Sequence, residues 1–375
     1  MENSNNNFNE GKEEITFETV RPMVDPESDF GGYGQPSGVS GGSYKINYED
    51  IDSERKREIK RLSNVSSLPL IFFDIIAFVL VLIIQIVMVV TFGEARTEEI
   101  FKNPDFNYLV NGFFSLMFFS LPFVLVAKSL KTPLNKIVAF GKCKFSKALS
   151  ATMLGFGVIA VSQYASAYFI VILESLMGEK VVNPMPEYGT GGASFIINLV
   201  CVGLIPAIME EFAFRGVILG VTRKYTSDGF AIIVNAVLFS MLHGNLNQIP
   251  FTLALGFFLA YITVYTGTVV PAMVVHGVNN GLSVVISTLS QTVLPFGMTV
   301  VVAVYYGVLL LIGIGGLVML INGRDNPFRL SKERSEDTKM VAKNYFTSVG
   351  FVIFSIITVY SVLDAQYNLT DKILK

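Results

Sequence analysis

The chain is predicted to fold as an all-α polytopic membrane protein: a bundle of about eight to nine transmembrane helices behind a disordered acidic N-terminal tail. Three observations carry this. Of its 375 residues, 51% are hydrophobic and only 15% are charged, with a mean hydropathy of +0.54, whereas a soluble domain carries about 25% charged residues. The apolar residues fall in blocks of roughly membrane-spanning length, unlike the short alternating segments of a β-barrel. Lysine and arginine gather in alternate connecting loops.

Residues 1–54 are rich in Asn, Glu, Gly and Ser and hold twelve acids against three bases. They cannot bury enough apolar surface to offset the entropy of ordering, which predicts a disordered cytoplasmic tail. The tail lacks the basic start and short apolar core of a signal peptide, so the first span is expected to serve as the insertion signal. The net charge of −2 hides the tail's acidity, because the rest of the chain is near +7. Nothing in this balance points to nucleic acid. Membrane lipids are the expected surroundings.

Nine candidate spans follow, near 68–92, 107–127, 147–173, 193–221, 229–246, 249–266, 268–289, 298–321 and 346–364. The fifth and sixth are short and interrupted by polar residues. Such segments are either partly re-entrant or shielded by the bundle. Arg55, Lys56, Arg57, Lys60 and Arg61 precede the first span. Lys128, Lys131, Lys136, Lys142, Lys144 and Lys147 lie between the second and third. Arg223 and Lys224 follow the fourth, and Arg324, Arg329, Lys332, Arg334, Lys339 and Lys343 lie between the eighth and ninth. All these loops share one side if the N-terminus is cytoplasmic, which predicts a multi-pass cell-membrane protein with that orientation. The two cysteines, Cys143 and Cys201, lie on different segments without a C-x-x-C pattern, against a disulfide framework or thiolate metal site.

Only two histidines occur, His243 and His276, and both lie inside apolar stretches; a third stretch carries Glu210, Glu211 and Arg215. Ionisable groups at membrane depth cost at least ~2.5 kcal/mol each on insertion scales and are functional candidates by default. Glu211 and Arg215 are four apart with Glu first, the favourable orientation for an ion pair on one helix. Glu210 lies about 100° around that helix and has no local partner. A carboxylate without a partner in low dielectric is suited to act as a general base. Phe239 and His243 are four apart and share a face, so the aromatic ring could wall the imidazole. His276 and Asn280 are also four apart and could aim two donors at one point, as an oxyanion hole requires. Taken singly, each motif also has a bland reading: an ion-paired helix end, an interfacial histidine, or polar glue between helices.

The ordered set, Glu210-Glu211-x-x-x-Arg215, then Phe239-x-x-x-His243, then His276-x-x-x-Asn280 on separate apolar helices, resembles the CPBP family. These are intramembrane proteases related to the CAAX prenyl endopeptidases and the bacterial Abi proteins. The resemblance covers roughly residues 193–285. It divides the chain into 1–54 as tail, 55–192 as N-terminal transmembrane helices, 193–289 as a CPBP-like protease core and 290–375 as C-terminal transmembrane helices. It implies an intramembrane endopeptidase acting on a peptide or membrane-protein substrate. Glu210 would activate the attacking water, assisted by His243. His276 and Asn280 would stabilise the oxyanion, while Glu211, Arg215 and Phe239 would shape the site. Glu210, His243 and His276 could together hold a divalent metal such as zinc. There is no H-E-x-x-H, and a metal-free, glutamate-activated water uses the same residues, so the sequence leaves both open. The alternative to an enzyme is a membrane protein that confers bacteriocin immunity or scaffolds a partner. A transporter would show paired motifs in two halves of the chain, and none is found.

Overall fold

The structure is a computed structural model that describes residues 48–119, 123–124, 126, 134–182, 191–291, 293–323 and 337–369. The tail up to residue 47, the latter part of the expected second span, and Lys128, Lys131, Arg324, Arg329, Lys332 and Arg334 lie outside the described residues.

The described residues are helical in all their major elements. In chain order these are α1 (Tyr48–Phe92), α2 (Glu94–Phe101), α3 (Pro104–Phe118), α4 (Phe145–Met177), α5 (Gly192–Tyr225), α6 (Asp228–Leu242), α7 (Ile249–Thr266), α8 (Val270–Ser290), α9 (Pro295–Ile321), α10 (Thr338–Phe346) and α11 (Val349–Tyr367). Seven of them, α1, α4, α5, α7, α8, α9 and α11, are long and apolar enough to cross a membrane. The nine expected spans map onto these seven together with α3 and α6. Of the latter two, α6 has 15 residues, about 22 Å at 1.5 Å per residue, which is short of a typical hydrocarbon core. Among the described residues the bundle therefore comprises seven long helices together with α3 and α6.

The start of α1 differs from expectation too. Residues 48–54, expected as tail, are already helical. Local pairs hold these turns together: Lys56 with Asp52, Arg55 with Glu58, and Arg57 with Ser53. Arg55 also donates to the carbonyl of Tyr225, at the last residue of α5.

Side-chain contacts give the helix directions. α3 runs parallel to α5, with Asp105 against Ser194 at one level and Gly112 against Cys201 at the next. α5 is antiparallel to α6 and to α8, as Asn235 meets Phe214, His276 meets Glu211 and Asn280 meets Val202. α7 is antiparallel to α6 across Ser240 and Thr252, and to α4, where Lys147 lies over Tyr265 and Gly155 faces Phe258. α9 is antiparallel to α4, from Tyr164 on Tyr306 to the crossing of Gly157 with Gly313. α11 runs in the same direction as α6, from Thr358 on Met241 to Ser361 at Gly244 just beyond the end of α6. Leaving the short α10 aside, direction thus alternates from α3 to α11 along the chain, the path that successive crossings produce.

Two glycines make the α4–α9 crossing possible. A Cβ on Gly313 would stand 2.4 Å from the Cα of Gly157. Small residues let membrane helices approach this closely, and packing then replaces the absent hydrophobic drive between helices.

Candidate active site

Three helices build the site. Glu210, Glu211 and Arg215 lie in the middle of α5, Phe239 and His243 at the end of α6, and His276 and Asn280 in the first half of α8. α5 is not a uniform α-helix. Two stretches, Leu199–Leu204 and Phe212–Ile218, are wound as π-helix and flank the turn that carries the two glutamates. A π segment inserts an extra residue per turn, re-aims the side chains that follow, and is frequent at functional sites. Here it turns Arg215 inward, where its side chain is fully buried.

Glu211 is the hub of the site. Its Oε1 accepts from Arg215 Nη1 at 2.7 Å and is also 2.8 Å from His276 Nδ1. Arg215 Nη2 donates to the carbonyl of Gly256 on α7 at 3.1 Å. The guanidinium lies 4.2 Å from the centre of the Phe239 ring, in cation–π contact. Gly256 permits this, since a Cβ there would come within 3.0 Å of Phe239 and 3.4 Å of Arg215 Nη2. Buried charges need a partner and further hydrogen bonds to offset desolvation. The Glu211 and Arg215 side chains, with no exposed surface, meet that demand in part through each other, His276 and a carbonyl, while Glu211 Oε2 and Arg215 Nε have no hydrogen-bond partner.

Glu210 differs from its neighbour. It keeps 15% of its side chain exposed and makes no ion pair with Arg215; its Oε2 lies 3.8 Å from His276 Nε2. That separation exceeds a hydrogen bond, and Oε2 has no hydrogen-bond partner. The two neighbouring carboxylates thus differ in surroundings: Glu211 is fully buried and held by Arg215 and His276, while Glu210 keeps part of its side chain exposed.

Phe239 forms the wall between the histidines. Its ring stands edge-on to His243 at 4.9 Å, to His276 at 5.8 Å and to Phe214 at 5.1 Å. His243 Nδ1 is 2.9 Å from the Phe239 carbonyl, which leaves Nε2 as its outward nitrogen. Asn280 lies one turn beyond His276. Its Nδ2 reaches the Val202 carbonyl at 3.4 Å, and its Oδ1 accepts from Asn279 Nδ2 at 3.1 Å.

All seven sequence-selected residues thus lie on the three adjoining helices. Glu210 stands beside His276 through the antiparallel contact of α5 with α8, which Glu211 holds at His276. Among the described residues, no group of three or more His, Cys, Asp or Glu side chains is arranged to hold a metal ion.

Comparison with known proteins follows the same stretch of chain. Residues 192–282 match the family model described as type II CAAX prenyl endopeptidase Rce1-like. The membrane-embedded CAAX protease MroQ of Staphylococcus aureus (strain USA300) is 24% identical over 149 residues, which is 38% of this chain. The chain spans 59% of the length of that curated relative. No solved structure matches.

Proposed function

We propose that this chain, whose residues 192–282 match the type II CAAX prenyl endopeptidase Rce1-like family model, is a CPBP-type intramembrane endopeptidase that hydrolyses a peptide bond of a membrane-associated protein or peptide with a water activated by Glu210. The observation that carries this reading is the contrast between two adjacent carboxylates in one apolar bundle. Each has one oxygen without a hydrogen-bond partner, but Glu211 is fully buried and bound by Arg215 and His276, whereas Glu210 keeps 15% of its side chain exposed and lies 3.8 Å from His276.

In the proposed reaction, water attacks the scissile carbonyl carbon as Glu210 removes its proton. The new C–O bond forms and the carbonyl π pair moves to oxygen, giving a tetrahedral oxyanion. His276 Nε2–H and Asn280 Nδ2–H donate to that oxyanion. His276 can do so only with its ring protonated on both nitrogens when Nδ1 donates to Glu211. Collapse of the intermediate breaks the C–N bond, and the proton held on Glu210 passes to the leaving amine. To His243 Nε2, the ring nitrogen not engaged by the Phe239 carbonyl, we assign the orientation of that water. Phe239 keeps both imidazoles edge-on and excludes bulk water, and Arg215 holds Glu211 in place. We propose that no metal takes part, a reading supported by the lack, among the described residues, of a three-donor group arranged to hold one.

The N-terminus is proposed to be cytoplasmic, from the distribution of basic loops. The test is cleavage by purified protein in lipid. Glu210→Ala, His243→Ala and His276→Ala are each expected to abolish it in folded protein, and prior chelation of divalent metal to leave the wild type active. Activity retained in any of the three variants would overturn the assignment. Loss of activity on chelation, restored by zinc, would overturn the metal-free step alone.

A further inference from the structure

The geometry points to Asn235 as a positioning residue for this site, one that none of the three motifs contains. Asn235 lies on α6 four residues before Phe239 and eight before His243, so the three residues form one stripe along the helix. It has no exposed surface. Its Nδ2 donates at 2.7 Å to the carbonyl of Phe214. That carbonyl belongs to the π segment Phe212–Ile218, and it also accepts from the backbone N–H of Leu219, five residues on.

The position of this bond matters for three reasons. A π turn sacrifices hydrogen-bond geometry relative to an α turn, so it persists where something outside the helix holds it. A buried amide donor without a carbonyl would cost a full desolvation penalty, which ties Asn235 to this one acceptor. The residue after Phe214 is Arg215, whose guanidinium is stacked on Phe239 of the same α6 stripe. Asn235 therefore clamps the backbone at the point from which Arg215 departs, and Phe239 takes the side chain at its far end. Both contacts register α6 against α5. Through Arg215 the clamp reaches Glu211, and through Glu211 it reaches His276.

The catalytic consequence rests on the proteolytic reading above; the clamp itself does not. Two variants test it, Asn235→Leu, which keeps the volume without a donor, and Asn235→Ala. Hydrogen exchange of the full chain in lipid nanodiscs is read first. Both variants are expected to speed exchange in the 212–219 segment while α4 and α9 exchange as in the wild type. Cleavage is read second. With a lost hydrogen bond converted to rate, kcat is expected to fall about tenfold, with KM within about twofold. Unchanged exchange at 212–219 in both variants would overturn the clamp, whatever cleavage shows. Faster exchange with unchanged kcat, in a protein that Glu210→Gln inactivates, would overturn the positioning role. If Glu210→Gln retains full activity, the proteolytic reading fails and the exchange result still judges the clamp.

Discussion

Glu211 holds His276 by Nδ1 at 2.8 Å with the same oxygen that binds Arg215 at 2.7 Å. One carboxylate thus serves as counter-ion to a buried guanidinium and as orienter of an imidazole. Removing one member of a buried ion pair leaves the other charge uncompensated, at a cost of about 3–5 kcal/mol. Glu211→Ala is expected to lower thermal stability in detergent by that order, whereas Glu210→Ala, which has no such partner, is expected to leave it nearly unchanged. Equal melting temperatures for Glu211→Ala and wild type would contradict the hub role.

Arg215 engages Glu211, the Gly256 carbonyl and the Phe239 face at once. A lysine ammonium has no planar fork and stacks less well, so it cannot make these three contacts together. Arg215→Lys is expected to lose cleavage activity nearly as fully as Arg215→Ala despite conserving charge. Wild-type rates for the lysine variant, measured on folded protein, would mean that charge alone suffices.

Much of this arrangement is legible in the sequence, and the parts that are not have physical reasons. The apolar blocks and the alternating basic loops mark the helices, because hydrocarbon demands long uncharged segments. The four-residue spacings of Glu211 with Arg215 and of Phe239 with His243 name helix faces directly, and both pairs are in contact. The partner of Glu210 is less legible, since it depends on how α5 and α8 slide past each other, which no local spacing encodes. The π segments leave no periodic signature. Asn235 escaped notice because a single Asn in an apolar helix reads as ordinary polar glue; its spacing of four before Phe239 was the available signal. The shortness of α6 was visible as a polar interruption after His243.

Away from the site, the α4–α9 crossing rests on Gly157 and Gly313, with backbone against backbone. A methyl group on Gly313 must push the helices apart. Gly313→Ala is expected to destabilise the bundle by about 1–3 kcal/mol, the usual cost of overpacking, seen as a lower melting temperature. The activity of the surviving folded fraction is expected to stay at the wild-type level. A stability equal to wild type would show that this crossing is looser than the structure has it.

The natural cysteines report orientation without engineering. Cys143 is partly exposed, in the segment just before α4, and Cys201 is buried in α5. A membrane-impermeant maleimide is expected to label the protein at Cys143 only when it has access to the cytoplasmic face, and Cys143→Ser is expected to abolish labelling. Labelling of intact cells from outside would reverse the proposed topology.

The most direct measurement compares the new protein N-termini in membranes of cells carrying the wild type with those in cells carrying Glu210→Gln, a change of one oxygen for an amide at the proposed base. Cleavage by a Glu210-activated water predicts a defined set of membrane-protein N-termini that is present with the wild type and missing with Glu210→Gln at equal protein level. The same N-termini at the same abundance in both would contradict it.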